Sequence, residues 1–471
     1  MKNIAEETRQ MNKMGTANIK KLMLSMGLPM IVSMALQAVY NIVDSYFVSC
    51  MPDTAEVQHM GDLAVNALTL AFPVQMLMIA IGVGTGVGIN AILSRSLGEG
   101  DSEKCSKIAG NSIFLGLCMY VVFLLFGIFG VDAYIGSQTD NQQIISMATS
   151  YLRICTIGSF GASMYITYEK LLQATGKTMQ STIAQIAGAL TNIILDPIMI
   201  FGWCGLPEMG IEGAAYATII GQFVSFALDA VFHYLCTKDF SANIKYVKPQ
   251  LSIIGQIYRV GVPAILMQAL MSFLTYGVNV IFANVSTEAV TAYGIYYKIQ
   301  QFVFFAAFGM NNAMIPIIAF NYGMRSKKRI NQGIRYGMIY TLIIMFLGAV
   351  LLQVFANQIL GIFLLSDKTR ELAILAIRII TLGYIFVGAN IAYQGIFQAL
   401  GCGVSSLVLS LIRLIVVPLP LAAAFTCFAN SETLIWIAFP VGELAAFLIA
   451  LVMMKFIGKS KIAPIKAQAE E

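Results

Sequence analysis

The sequence predicts an all-α polytopic membrane protein, with twelve transmembrane helices in two six-helix bundles related by a pseudo-two-fold axis along the membrane normal. Three observations carry this expectation. Only 11% of the residues are charged and 58% are hydrophobic, whereas a soluble protein averages about 25% charged residues. Apolar windows of roughly 20 residues, the length that crosses a bilayer, recur along the whole chain. The second half of the chain repeats the first at a nearly constant offset.

The twelve windows fall at 22–50, 62–93, 108–131, 143–170, 178–203, 211–236, 252–283, 288–320, 333–356, 371–398, 404–428 and 433–457. They are continuous and long, which is helical behaviour, rather than alternating over about ten residues as barrel strands do. Turn signals separate them, among them LGEGDSEK at 97–104, QATGKT at 173–178 and NYGMRSKKR at 321–329. The polar N-terminal stretch lacks the apolar core of a signal peptide. Basic residues sort by side. Lys2, Arg9, Lys13, Lys20, Lys21, Arg95, Lys104, Lys107, Lys170, Lys177, Lys238, Lys245, Arg325, Lys327, Lys328, Arg329, Lys455, Lys459 and Lys466 mark loops of one side, and Lys368 and Arg370 mark the other. The positive-inside rule then puts both termini in the cytoplasm. Asp53, Glu56, Asp62, Asp132 and Asp140 fall on the outer side. The net charge of +5 is small for the length and does not favour nucleic acid. Eight cysteines are scattered without a CxxC pair, as suits single buried thiols.

The duplication divides the chain into a cytoplasmic segment 1–21, a bundle 22–236, a cytoplasmic linker 237–251, a bundle 252–457 and a cytoplasmic tail 458–471. Arg153, Thr156 and Gly158 recur 225 positions later as Arg378, Thr381 and Gly383, and Tyr168, Gln173 and Gly176 recur as Tyr393, Gln398 and Gly401. Gly84 meets Gly309 and Gly98 meets Gly323. In the first span the offset is 234, pairing Gly27 and Pro29 with Gly261 and Pro263. Six spans per copy is an even number, so both copies share one topology, with a substrate path expected between them. A channel or scaffold can be duplicated too, and the repeat alone does not separate these.

A charged residue in hydrocarbon costs about 2.5–3.5 kcal/mol on insertion scales, so each one inside a span is a candidate for function. Asp44 lies in span 1, Glu169 in span 4, Asp196 in span 5 and Glu443 in span 12. Asp229 and Glu212 are expected at the interface, near the ends of span 6. Tyr40 and Asp44, and likewise Asn192 and Asp196, are four residues apart and stack on one helix face, with Gln37 a turn before Tyr40. Asp44 and Asp196 both sit toward the outer ends of their helices, where they can meet in one cavity. At the repeat offsets Asp44 falls on Val278, Asn192 on Val417, Asp196 on Leu421 and Glu169 on Gln394. A packing role would be needed in both halves, whereas charge handling can survive in one. The alternative is a structural polar cluster satisfied by neighbouring Tyr, Asn and Thr. Burial favours the uncharged form of a carboxyl group, and a second carboxyl favours it further, so such a pair can load and release a proton. Sodium is the rival ligand. Among basic residues within spans, Arg153 and Arg378 share a repeat position and suit a shared structural role. Lys298 has no counterpart and is a substrate-binding candidate, and Arg413 completes the set. Gly82, Gly84, Gly86 and Gly88 resemble a nucleotide loop but lie within a span, where close helix packing explains them. His59 and His233 have no metal-ligand partners in sequence. The 26 methionines suit an adaptable cavity wall as well as ordinary packing.

The order and spacing of LPMIVSMALQAVYNIVDSYFVS, LGEGDSEK, LLQATGKT, TNIILDPIMI and AFNYG over the whole chain resemble the multidrug and toxic compound extrusion (MATE) family, in its DinF-like bacterial branch. The resemblance implies two bundles forming a V, with a cavity exposed alternately to each side. It implies coupling carboxylates in the N-terminal bundle: Asp44 and Asp196, with Asn192 and Tyr40 as partners, Glu169 as a further acidic position, and Pro29 where span 1 bends. Spans 7 and 10 lack the interior acidic residues of another branch, which puts a C-terminal sodium site in doubt.

The expected function is a secondary antiporter in a bacterial cell membrane, acting as a monomer. It would export cationic amphipathic drugs or dyes in exchange for protons, with no cofactor, no resident metal and no nucleic-acid partner. Glu169, Gln37 and Lys298 would contact substrate. The alternatives are a sodium-coupled exporter, a lipid-linked oligosaccharide flippase, for which a basic cavity would be expected, and, from another class, an intramembrane enzyme or receptor. No HExxH, paired catalytic Ser/His or phosphate loop supports the last.

Overall fold

The computed structural model describes residues 12–53, 59–241, 244–363 and 365–465. Lys2, Arg9, Glu56 and Lys466, with the rest of residues 1–11 and 466–471 of the expected terminal segments, lie outside the described residues. Among the described residues all regular structure is helical. Eleven helices are long and apolar enough to cross a membrane: Ile19–Ser49, Met60–Glu99, Ser102–Phe129, Thr178–Ile200, Gly210–Cys236, Leu251–Ala283, Thr287–Gly323, Lys327–Leu360, Asp367–Ala399, Gly403–Phe425 and Ser431–Ile462. Span 4 completes the twelve as two shorter helices, Gln142–Ile157 and Phe160–Ala174, which meet at Gly158. The expected windows and the observed helices agree to within a turn or two, because both are set by where the apolar run meets polar turn residues. Gly176 and Gly401, equivalent in the repeat, both adopt left-handed backbone (φ +83° and +74°) at the end of spans 4 and 10, a conformation that glycine tolerates at no steric cost.

The pseudo-two-fold is visible in matched contacts. Gly84 of span 2 lies on Ile265 of span 7, and its counterpart Gly309 of span 8 lies on Ile31 of span 1, the counterpart of Ile265. Gly98 packs on Phe320, and Gly323 on Arg95, so spans 2 and 8 cross each other symmetrically. Gly82, Gly86 and Gly88 pack on Ile166, Lys170 and Ile257, which is helix packing and not phosphate binding. A methyl group at Gly309 would stand 2.8 Å from the N and Cα of Ile31, backbone atoms that cannot swing aside. Gly309→Ala is therefore expected to cost about 1–3 kcal/mol of stability through overpacking. Gly255→Ala, with nothing within 4 Å, serves as control. Thermal unfolding in detergent checks this.

One large apolar core draws on both bundles and uses the halves of the helices nearer the termini, from Met23 and Leu97 to Ile257, Met314, Phe320 and Phe397. On the opposite side each bundle has a separate core. One lies within Val48–Ala215 and the other within Leu274–Ala438. The bundles thus share one buried core on the termini side and keep separate cores on the other. Residues before span 1 add contacts on the termini side. Arg329 donates to the carbonyls of Met14 (3.0 Å) and Ala17 (2.8 Å), and Asn321 donates to Met14 (3.1 Å). Asn12 reaches the linker at Asp239 (3.3 Å) and the N-terminal bundle at the Thr175 carbonyl (3.4 Å). The linker after span 6 packs on span 3, where Gln250 donates its backbone N–H to Asn111 (2.7 Å).

Two sequence expectations change. Lys170, read as a loop lysine, is buried in the second helix of span 4. Asp229, read as interfacial, is 1% exposed. Both lie near helix ends in sequence, but neighbouring helices cover those ends laterally, which hydropathy along one chain does not register.

Candidate functional site

The end of the N-terminal bundle away from the termini gathers polar groups from five spans. In span 5, Asn192 donates from Nδ2 to Asp196 Oδ1 (3.2 Å), the bond its four-residue spacing predicts, and to Thr218 Oγ1 of span 6 (3.4 Å). Asp196 is fully buried and Asn192 2% exposed. Asp44 of span 1 stands close enough to Asp196 for their charges to interact, and Tyr40 lies within electrostatic reach of both, and of Tyr165. Gln75 of span 2 donates to Tyr151 Oη (3.2 Å) at the wall formed by span 4.

Three oxygens in this group, Asp44 Oδ1, Asp196 Oδ2 and Asn192 Oδ1, are buried with no hydrogen-bond partner among the described residues. A buried acceptor left unpaired costs about 1–3 kcal/mol, more for a charged group. Acceptors alone, gathered at one end of a bundle, suit a proton or a small hard cation. In the C-terminal half the counterpart of Asp44, Val278, is 1% exposed and sits in the apolar core.

Glu169 is not joined to this pair. It lies one to two turns from the termini-side end of span 4, 13% exposed, accepting from Gln173 (2.6 Å) and paired with Lys170 (3.6 Å). Lys170 thus meets part of the Glu169 charge. Gln37 is half-buried one turn below Tyr40. Lys298 is exposed. It precedes Gly309 by eleven residues, which at about 100° per residue returns it to the same helix face within about 20°. That face meets span 1 at Gly309, which lies on Ile31. Pro29 is buried, and span 1 remains one helix through it from Ile19 to Ser49. Lacking an N–H, it leaves the Ser25 carbonyl without its usual partner.

The C-terminal bundle holds a different polar centre. Arg413 pairs with Glu443 (Nε 3.0 Å, Nη2 2.9 Å), and Asn390 donates to Glu443 Oε2 (2.7 Å) and to its carbonyl (2.9 Å). Arg413 sits in a π-turn, Ile412–Val416, just before Pro418, whose ring is incompatible with the carbonyl four residues back. The equivalent arginines differ in use. Arg153 forms an ion pair with Asp132, while Arg378 is exposed and its carbonyl accepts from Gln353 (2.8 Å).

Parallel six-helix repeats about an axis normal to the membrane are an arrangement found in membrane carriers. The chain belongs to the MatE family, whose model matches residues 29–198 and 263–424, one match in each half. It is 26% identical over 437 residues to the multidrug export protein MepA of Staphylococcus aureus strain MRSA252, covering 92% of this chain and 94% of that protein. It is 25% identical over 441 residues to MepA of Staphylococcus saprophyticus, covering 93% and 94%. Among solved structures it resembles a MATE protein in complex with MaL6 (TM-score 0.87, 23% identity, 97% of this chain and 99% of that one). It also resembles an outward-facing multidrug resistance MATE transporter of the MOP superfamily (TM-score 0.86, 23% identity, 99% of each chain).

Sequence reasoning missed Thr218, Tyr165, Lys170 and Asp229. A threonine or tyrosine in an apolar run carries no mark of its own. The lysine and the aspartate were legible as charges but misplaced in depth.

Proposed function

We propose that this chain is a secondary multidrug antiporter of a bacterial cell membrane, both termini cytoplasmic, exporting cationic amphipathic compounds in exchange for protons. The observation that carries the reading is the set of three orphan acceptor oxygens on Asp44, Asp196 and Asn192. A single proton neutralises one of two neighbouring carboxyl groups, whereas a hard metal cation calls for about six oxygen ligands. In this reading Asp44 and Asp196 carry the proton, and Asn192 and Tyr40 orient them. Gln37 and Lys298 line the path of the substrate, and span 1 bends at Pro29 as the pair changes charge. The likeness to the staphylococcal export proteins supports the substrate class. Sodium coupling is the second reading, favoured by the same oxygens. A flippase for anionic lipid-linked sugars is less well supported, since Arg413 is already neutralised by Glu443.

The test uses full-length protein in proteoliposomes, with pH and sodium gradients imposed separately and a cationic dye as cargo. Dye movement driven by the pH gradient alone is expected. Movement only with sodium overturns proton coupling.

A further inference from the structure

Seven to eight residues inside the termini-side end of span 6, Asp229 is 1% exposed, and both of its carboxyl oxygens are buried without a hydrogen-bond partner among the described residues. An ionised carboxylate is not left so in an apolar interior, because desolvation costs several kcal/mol unless a donor or counter-charge meets it. The groups that face Asp229 come from spans 4 and 6. Span 4 supplies Tyr165, Tyr168, Glu169 and Lys170, of which Glu169 and Lys170 act on Asp229 electrostatically. Span 6 itself adds His233 one turn on, 2% exposed with Nδ1 unpartnered, and then Tyr234. Lys177, at the start of span 5, acts on His233. Span 5 packs beside span 6 at this level with Ser181, Thr182 and Ala184, and Ser225 donates to the Ala184 carbonyl (3.2 Å). The charged member of span 1 within the membrane is Asp44, at the far end.

Charge balance is decisive here. Lys170 is 5% exposed and already committed to Gln173 (2.9 Å) and Glu169 (3.6 Å). One lysine against two acids leaves one negative charge unmatched. The duplication agrees, because the C-terminal half carries Gln394, Gly395 and Met454 at the offset positions, and Gln394 is satisfied by Ser410 (2.6 Å). Tyr165 joins the two levels of the bundle. It lies within electrostatic reach of Tyr40 on one side and of Glu169 and Asp229 on the other.

We propose that Asp229, with Glu169 and Lys170, forms a second proton site on the termini side of the N-terminal bundle, which receives the proton from the outer pair by way of Tyr165 and passes it to water on that side. The proposal rests on the proton-antiport reading above. In the transfer the O–H bond at Asp44 or Asp196 breaks as one forms at Tyr165, whose own hydroxyl proton passes to Asp229, so Tyr165 ends with one O–H bond as it began. The negative charge moves the opposite way, and Lys170 meets what remains on Glu169. Release to water at the termini side restores the unmatched charge and completes the step.

The experiment compares wild type, Asp229→Asn, Asp229→Glu, Glu169→Gln and Asp44→Asn in full-length proteoliposomes. Readouts are dye binding and gradient-driven dye flux as the pH is varied on each side in turn. For Asp229→Asn, dye affinity is expected within about twofold of wild type, because Gln37 and Lys298 are not among the groups that face it. Flux is expected to fall about 10-fold or more and to lose its dependence on pH at the termini side alone. Asp229→Glu is expected to restore both. Should Asp229→Asn not fold, Glu169→Gln, at a position less buried, is expected to reduce flux in the same direction. Wild-type flux and pH dependence in both Asp229→Asn and Glu169→Gln, with Asp44→Asn inactive, overturns the inner site and leaves the antiport reading standing. A wild type that answers only to sodium overturns both.

Discussion

Asp44→Asn is expected to abolish accumulation of a cationic dye against its gradient. With the membrane potential clamped and a pH difference of about two units, one proton per dye molecule sustains a ratio of about 100, since each pH unit is worth about 1.4 kcal/mol. The variant should bring that ratio to about 1. Asparagine keeps the shape of the side chain and removes the only part of it that can bind and lose a proton, so the change reads chemistry and not packing. Asp44 suits this test because its Oδ1 is buried with no hydrogen-bond partner among the described residues, so the amide breaks no hydrogen bond at that atom. Asp196→Asn should act in the same direction, its amide oxygen still able to accept from Asn192 (3.2 Å). An Asp44→Asn protein that still holds a ratio near that of wild type removes Asp44 from the coupling.

Arg413→Met is expected to destabilise the protein by about 3–5 kcal/mol, because it strands Glu443 as a buried charge. The Arg413 and Glu443 side chains are 5% and 11% exposed, and two guanidinium nitrogens bind one carboxylate oxygen. Asn390 would remain on the other oxygen (2.7 Å), which cannot replace a full counter-charge. The double variant Arg413→Met, Glu443→Leu should recover most of the loss, since apolar groups of similar volume commonly replace a buried ion pair at little cost. Chemical unfolding in mixed micelles checks both. A single variant as stable as wild type would mean that water reaches Glu443.

These two sites show how far a linear reading reaches. The bond from Asn192 to Asp196 was legible, because residues four apart on a helix are neighbours whatever the rest of the fold does. So was the asymmetry between Asp44 and Val278, which needs only the repeat. The pairing of Arg413 with Glu443 was not, since the two lie on different helices and nothing in either run names the other. Depth failed in the same way for Asp229 and Lys170. Distance from a helix end along the chain says where a residue sits on the membrane normal, but not whether a neighbouring helix covers it.

The sequence by itself determined the twelve spans, their division into two copies, and the confinement of Asp44, Asp196 and Glu169 to the first copy. Each of these follows from apolar length, periodicity or repeat offset, which are local properties of a chain that must satisfy its own backbone in lipid. Only the tertiary structure decided which polar residues meet and on which side the two bundles share one core. It separated Glu169 from Asp44 and Asp196 and gave it to Lys170 and Asp229. It also spent Arg413 on Glu443, and brought Asp44 to Asp196 from a helix more than a hundred residues away. Those outcomes depend on how helices pack side by side, and lateral packing is set by small residues such as Gly84 and Gly309, whose contacts appear only when both partners are in place.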